Sequence, residues 1–270
     1  MHRIIDGTLY ARHDIPYAHE IKVHDLGHGH TEAVILPKYG WHEVCALSSI
    51  ALEHYREACQ SPPELSEAEK LAKLVENRER ATRRARTKVR RLAKAKGLTT
   101  LLTLTYRENM LDRDRMQRDL DVFLKRVRRV IPGFQYIAVF ERQKRGAWHA
   151  HLAVEKVLSH YVARGRLVRS YDLLRSMWRA VVGTDNGNVD VSRNKALSRS
   201  SAKLAAYVSK YIGKTFDQAD KYVNSYSASG RALPRAMAFT VQGTLSMALD
   251  QWAALMAPEI ARGELFCNLI

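Results

Sequence analysis

From about residue 100 onward, apolar residues switch repeatedly between two periods, and each switch marks an element. Residues 101–106, Leu-Leu-Thr-Leu-Thr-Tyr, form a β-branched and apolar run of strand length. Met116, Leu120, Phe123, Leu124, Val127, Val130 and Ile131 then recur at helical spacing until Pro132-Gly133 ends the helix. The pattern next predicts a strand over 134–143, a turn at Lys144-Arg145-Gly146, and another strand over 147–154. A helix over 171–182, capped by Ser170, carries Leu174, Met177, Trp178 and Val181 on one side. A short strand at 189–192 and a helix over 201–214 complete the run. The order β-α-β-β-α-β-α predicts an α+β domain over 98–215, with the split βαβ arrangement of a ferredoxin-like antiparallel sheet and helices on one face.

The flanks are less regular. Residues 1–60 have weak periodicity, and Pro62-Pro63 interrupts them. Residues 66–96 lack Gly and Pro and are rich in Ala, Leu, Glu, Lys and Arg, which predicts one long helix with Ser66 as N-cap and Gly97 as its stop. Residues 1–97 therefore read as an N-terminal extension ending in that helix. Residues 216–270 read as a loop and an amphipathic helix with Leu245, Leu249, Trp252 and Met256, a helical C-terminal tail. No repeat occurs at solenoid periods.

Composition narrows the class. With 46% hydrophobic and 27% charged residues over 270 positions, the chain has the make-up of a globular protein rather than a disordered or disulfide-stapled one. Its longest uncharged stretch near the C-terminus, 236–249, is broken by Thr240, Gln242, Gly243, Thr244 and Ser246, so no membrane partner is expected. The first residues lack the apolar segment of a secretory signal. Cys45, Cys59 and Cys267 form no CxxC pair, which fits a reducing cytoplasm.

Charge changes the picture most. The net charge of +16 and a pI near 9.9 point to a polyanionic partner, nucleic acid first. The charge concentrates between residues 80 and 96, where Arg80, Arg83, Arg84, Arg86, Lys88, Arg90, Arg91, Lys94 and Lys96 occur without an acid. Such a run is either a phosphate-binding surface or a solvated helix face.

Two constellations suggest chemistry. In Trp148-His149-Ala150-His151, strand geometry sends both imidazoles to one face. A three-residue hairpin loop at Lys144-Arg145-Gly146 would set Gln143 opposite Ala147 and Glu141 opposite His149, bringing a carboxylate beside the imidazoles. Two nitrogens and a carboxylate leave room for water or a phosphate oxygen around a bound cation. On the helix that follows, Tyr207 and Tyr211 lie about 40° apart in projection. Lys203, Lys210 and Lys214 lie just beyond Tyr207, while Ala205, Val208 and Ile212 take the other flank. The tyrosines are either half-buried core residues or nucleophiles, and the second role needs nearby positive charge or a polarised target because a phenol ionises near pH 10. His28-Gly29-His30 repeats the HxH spacing but reads as a loop without a carboxylate partner.

Three segments together, Leu102 to Tyr106, Glu141 to His151 and Tyr207 to Lys214, resemble the HUH endonucleases, specifically the two-tyrosine rolling-circle replication initiators of single-stranded DNA phages and related plasmids. Conjugative relaxases place the tyrosine before the histidines, and this chain does the reverse. The resemblance implies site-specific nicking and rejoining of single-stranded DNA at a replication origin in a bacterial host cytoplasm. It implies Mg2+ or Mn2+ held by His149, His151 and a third ligand, Glu141, with Tyr207 and Tyr211 as nucleophiles and Lys210 stabilising phosphate or phenolate. A 5′-phosphotyrosyl link and a free 3′-OH would result. The sequence contains no GxxxxGK[ST] motif, so a host helicase would unwind and a host polymerase extend. Two alternatives use the same elements: a non-catalytic DNA- or RNA-binding module, and a two-tyrosine transposase.

Overall fold

The computed structural model describes residues 1–60, 64–143, 146–192, 200–218 and 226–255, with the side chains of residue 60 and of 213–218 outside that description. Pro62-Pro63, the turn residues Lys144 and Arg145, Met256 and Cys267 lie outside the described residues, as does the side chain of Lys214. The chain forms a mixed α/β protein with antiparallel sheets and divides into two compact units. Leu26–His28 and Val75–Leu233 make the unit that carries the candidate chemistry.

Its sheet contains β4 (Thr100–Tyr106), β5 (Tyr136–Arg142), β6 (Trp148–Val154), β9 (Gly187–Ser192) and β10 (Tyr226–Ala228), in the order β10-β5-β6-β4-β9, with every neighbour antiparallel. β6 thus sits between β4 and β5, the two strands joined by α3 (Arg113–Val130), and β9 flanks β4. Every residue of β6 is buried. Its alternate side chains enter different cores. Ala150, Leu152 and Val154 join Leu102, Leu104, Tyr136, Ala138 and Phe140 under α3 and α4 (Ser170–Val182). Ala153 faces the other way, with Leu101, Ile137 and Val139, under α5 (Ser201–Gln218) and the end of α2 (Glu67–Ala95).

Helices therefore cover both faces, which corrects the expectation of one. The physical reason lies in the strands: β4 and β6 are apolar on both sides, and an apolar sheet face must be covered. α2 begins as predicted. Ser66 Oγ accepts from the Glu69 amide at 3.3 Å while the Ser66 amide donates to Glu69 Oε2 at 2.9 Å, a reciprocal cap. Gly97, at φ +58°, ends the helix in the left-handed conformation. At α4 the structure differs: the N-cap is Arg169, and Ser170 is the first helical residue.

Between β6 and α4 lies an element that the hydrophobic pattern does not predict, the two-stranded ribbon β7 (His160–Ala163) and β8 (Arg166–Arg169). Its base is closed by the Ser170 amide donating to the Ser159 carbonyl at 3.0 Å. Its turn places Arg164 at φ +50° and Gly165 at φ +74°.

The other unit, Met1–Asp25, Gly29–Leu74 and Pro234–Ile270, corrects the expectation of helical extensions. Its framework is a four-stranded sheet in which β2 (Thr8–Asp25) pairs with β3 (Thr31–Ala46) on one edge and with β1 (His2–Ile5) and β11 (Met237–Gln242) on the other. α6 (Leu245–Leu255) packs on this sheet, where Ala248 meets Ile21, Val23 and Val241. α1 (Ser49–Gln60) precedes α2. Among the described residues, no helix is long and apolar enough to cross a membrane.

Candidate active site

The register of the β5–β6 hairpin decides which side chains share the site face. Glu141 stands opposite His149 and Val139 opposite His151, as a three-residue loop requires. The Gln143 amide donates to the Ala147 carbonyl at 2.9 Å and the Gly146 amide to the Gln143 carbonyl at 2.8 Å, with Gly146 at φ +90°. On β4, Thr103 stands opposite His151. One face of the sheet therefore presents Thr103, Glu141, Gln143, His149 and His151 in adjacent rows, and both imidazoles are buried.

His151 is held at both ring nitrogens. Its Nδ1 is hydrogen-bonded to Thr103 Oγ1 at 3.1 Å and its Nε2 to Glu141 Oε2 at 2.9 Å. The carboxylate thus reaches diagonally to His151 rather than straight across to His149. His149 instead accepts at Nδ1 from the Gln143 side-chain amide at 3.2 Å. Neither Thr103 nor Gln143 was assigned a role from sequence. Their signal was available in the strand parity, which sets both on the histidine face.

α5 lies across this face on Leu204, Ala205, Val208 and Ile212, all fully buried. These four occupy the helical stripe that the wheel predicts, so the adjoining stripe brings Tyr207 and Tyr211 to the histidines. The Tyr211 ring stacks on the His151 imidazole, with centroids 4.5 Å apart and planes 22° apart. Its hydroxyl donates to Tyr207 Oη at 2.6 Å, and the two phenol rings meet edge to face. Burial, followed by the hydrogen bond to Tyr207 and the nearby Glu141 charge, pushes the Tyr211 hydroxyl pKa well above the ordinary tyrosine value. Tyr211 therefore keeps its proton and acts as donor. Tyr207 is only half-buried.

The lysines are less closely engaged. Lys203 and Lys210 project into solvent, and among the described residues neither makes a hydrogen bond or ion pair to the tyrosines or histidines. Along α2, Arg83, Arg84, Arg86 and Lys88 are exposed, while Arg90, Arg91, Lys94 and Lys96 are partly buried beside Val89, Leu92 and Ala93. Two members differ from the expectation of uncompensated charge. Arg80 pairs with Glu76 one turn earlier, and the Lys96 ammonium donates to Gln135 Oε1 at 2.8 Å, where desolvation lowers its pKa.

The donor chemistry of the pair suits a small hard cation in part. Glu141 Oε2 and His151 Nε2 are 2.9 Å apart, close to the spacing of neighbouring ligands around an ion bound at about 2.1 Å. His149 does not complete that set here. Among the described residues, no three His, Cys, Asp or Glu side chains stand close enough together to hold a metal ion.

A mixed α/β unit with paired tyrosines over a His–Glu sheet face places this part of the chain in a recognisable class. The family model for replication-associated proteins of the ORF2 type matches residues 99–216, from β4 into α5. The match supports a role in replication for that segment, as an initiator. No curated protein and no solved structure matches the chain.

Proposed function

We propose that the protein is a rolling-circle replication initiator that nicks and rejoins single-stranded DNA through a tyrosine. The observation that carries this reading is the hydrogen bond from Tyr211 to Tyr207 directly over the His151–Glu141 pair. Packing alone requires neither two hydroxyls in contact nor a carboxylate against an imidazole on the face beneath them. The strand order, with β6 inserted between β4 and β5, supports a split βαβ, ferredoxin-like reading of the domain.

In the proposed reaction Tyr207 is the first nucleophile. Its oxygen attacks the scissile phosphorus while the bond to the 3′ oxygen breaks, leaving a 5′-phosphotyrosyl link, and the departing oxygen takes up a proton to become a 3′-OH. Tyr211 remains protonated and donates to the attacking oxygen, favouring its anionic form. Thr103 orients the His151 ring, and Gln143 orients His149. Mg2+ or Mn2+, held by His151 and Glu141 with His149 alongside, would withdraw charge from the phosphate oxygens. Lys210 on α5 and the exposed arginines of α2 would supply phosphate contacts, with Lys203 and Lys214 as further candidates. Host helicase and polymerase would act before and after the nick.

The test uses an oligonucleotide of origin sequence labelled at its 3′ end, incubated with Mn2+ and the full chain. A covalent labelled adduct that His149→Ala and His151→Ala each abolish, while DNA binding persists, is the expected result. Binding without an adduct under any divalent metal would favour the non-catalytic module.

A further inference from the structure

The ribbon β7–β8 takes no part in the site just described. It leaves the sheet at the Val154 end of β6, whereas His149 lies near the opposite end of that strand. Its two faces differ sharply. Tyr161 and Val168, cross-strand partners, are half-buried, and Tyr161 Oη accepts from the Leu158 amide at 3.0 Å. On the outer face the partners Val162 and Leu167 are 66% and 70% exposed, with His160 opposite Arg169 beside them. An apolar pair this open on a ribbon is unusual unless something covers it.

Two independent features indicate what does. Residues 156–171 contain Lys156, Arg164, Arg166 and Arg169 and no acid, and all four are exposed. The turn also puts an arginine, not a glycine or asparagine, at φ +50°. That conformation disfavours a long side chain, so the position carries a guanidinium against the local backbone preference. A second copy of this basic ribbon would meet its own charge, which excludes self-association as the favoured occupant. The major groove of B-form DNA accepts a two-stranded β-ribbon, offers phosphates along both rims, and exposes thymine methyls on its floor.

We propose that the β7–β8 ribbon is a second nucleic-acid site, which enters the major groove of duplex DNA with its arginines on the phosphates and Val162 and Leu167 against thymine methyls. It rests on DNA being the partner in the reading above but not on that reading's chemistry.

The experiment measures binding of the full chain to a fluorescent thymine-rich duplex and to its deoxyuridine counterpart, across a range of salt, for the native chain, Arg164→Gly, and the double variant Val162→Ser with Leu167→Ser. Glycine suits φ +50° better than arginine and the apolar pair is exposed, so both variants should keep the native thermal midpoint. Arg164→Gly should flatten the slope of log affinity against log salt by about 0.9, one phosphate contact. The native chain should prefer thymine to deoxyuridine by about fourfold per methyl covered, and the double variant should lose that preference. An unchanged slope together with an unchanged preference overturns the proposal. So does a native dimer that the double variant splits, which would make a second copy the occupant. The adduct assay on single strands is independent: a chain that nicks without ribbon-dependent duplex binding loses only this site, and one that binds duplex through the ribbon without nicking loses only the chemistry.

Discussion

Replacing Tyr211 with phenylalanine removes one oxygen and leaves the ring stacked on His151. What disappears is the 2.6 Å hydrogen bond to Tyr207 Oη. If Tyr207 attacks first, its oxygen carries developing negative charge, and a hydrogen bond to a charged group contributes about 1.5–3 kcal/mol. At about 1.4 kcal/mol per tenfold in rate, Tyr211→Phe should slow formation of the first adduct roughly 10- to 150-fold without abolishing it. Tyr207→Phe should remove that adduct entirely. The measurement is a single-turnover time course with excess protein and 3′-labelled single-stranded DNA, so that the labelled fragment stays on the protein and release steps do not enter. Fold should be unaffected, because each ring keeps its packing. Should Tyr207→Phe form adduct at the native rate while Tyr211→Phe forms none, the order of the nucleophiles is reversed. A change of less than threefold on removing the Tyr211 hydroxyl would mean that the attacking oxygen does not feel the hydrogen bond.

Three further outcomes follow from separate parts of the molecule. Converting Arg83, Arg84, Arg86 and Lys88, the exposed members of the α2 run, to glutamine should flatten the salt dependence of single-strand binding by up to about 0.7 for each phosphate no longer neutralised; an unchanged slope returns the helix to a solvated face. A Cβ at Gly187 would come within 2.8 Å of Trp178 Cδ1 and Val182 Cγ2, so Gly187→Ala should destabilise by about 1–3 kcal/mol from overpacking, read as a fall in urea midpoint. The hydroxyls of Tyr106 and Tyr211 both have pKa values raised by burial above the ordinary 10.0, Tyr106 also through its 2.8 Å bond to Asp119. The folded chain therefore keeps protons that the unfolded chain has lost. That stability is complete below pH 10 and should fall above it by at most about 1.4 kcal/mol per pH unit for each tyrosine, and Tyr106→Phe should shallow the decline.

The elements from β4 to α5 were legible because each carries a local signal: a β-branched run, a 3.6-residue repeat, a Pro-Gly stop. The hairpin register and the meeting of Tyr207 with Tyr211 followed from strand parity and helical projection alone. The N-terminal sheet was not legible. β2 runs for 18 residues through Pro16 with register shifts at Leu9/Tyr10 and Asp14/His19, and each shift breaks the two-residue alternation that identifies a strand. Its partner β11 lies more than 200 residues away in sequence, a pairing that no local window contains. The β7–β8 ribbon was missed because its strands are only four residues long and its turn uses Arg-Gly in place of Asn-Gly. The diagonal reach of Glu141 to His151 depends on side-chain rotamers, which the pattern does not encode.

β6 is the strand whose backbone is hydrogen-bonded along both edges, to β4 and to β5, and whose side chains are buried on both faces. Amide hydrogens in such a strand exchange with solvent only when the whole unit opens, whereas those of a ribbon or a frayed helix end exchange through local excursions. His149 and His151 are part of that slow-exchanging centre. The geometry of the histidine face therefore has the lifetime of the folded domain itself, and heat or denaturant should erase site and fold in a single transition.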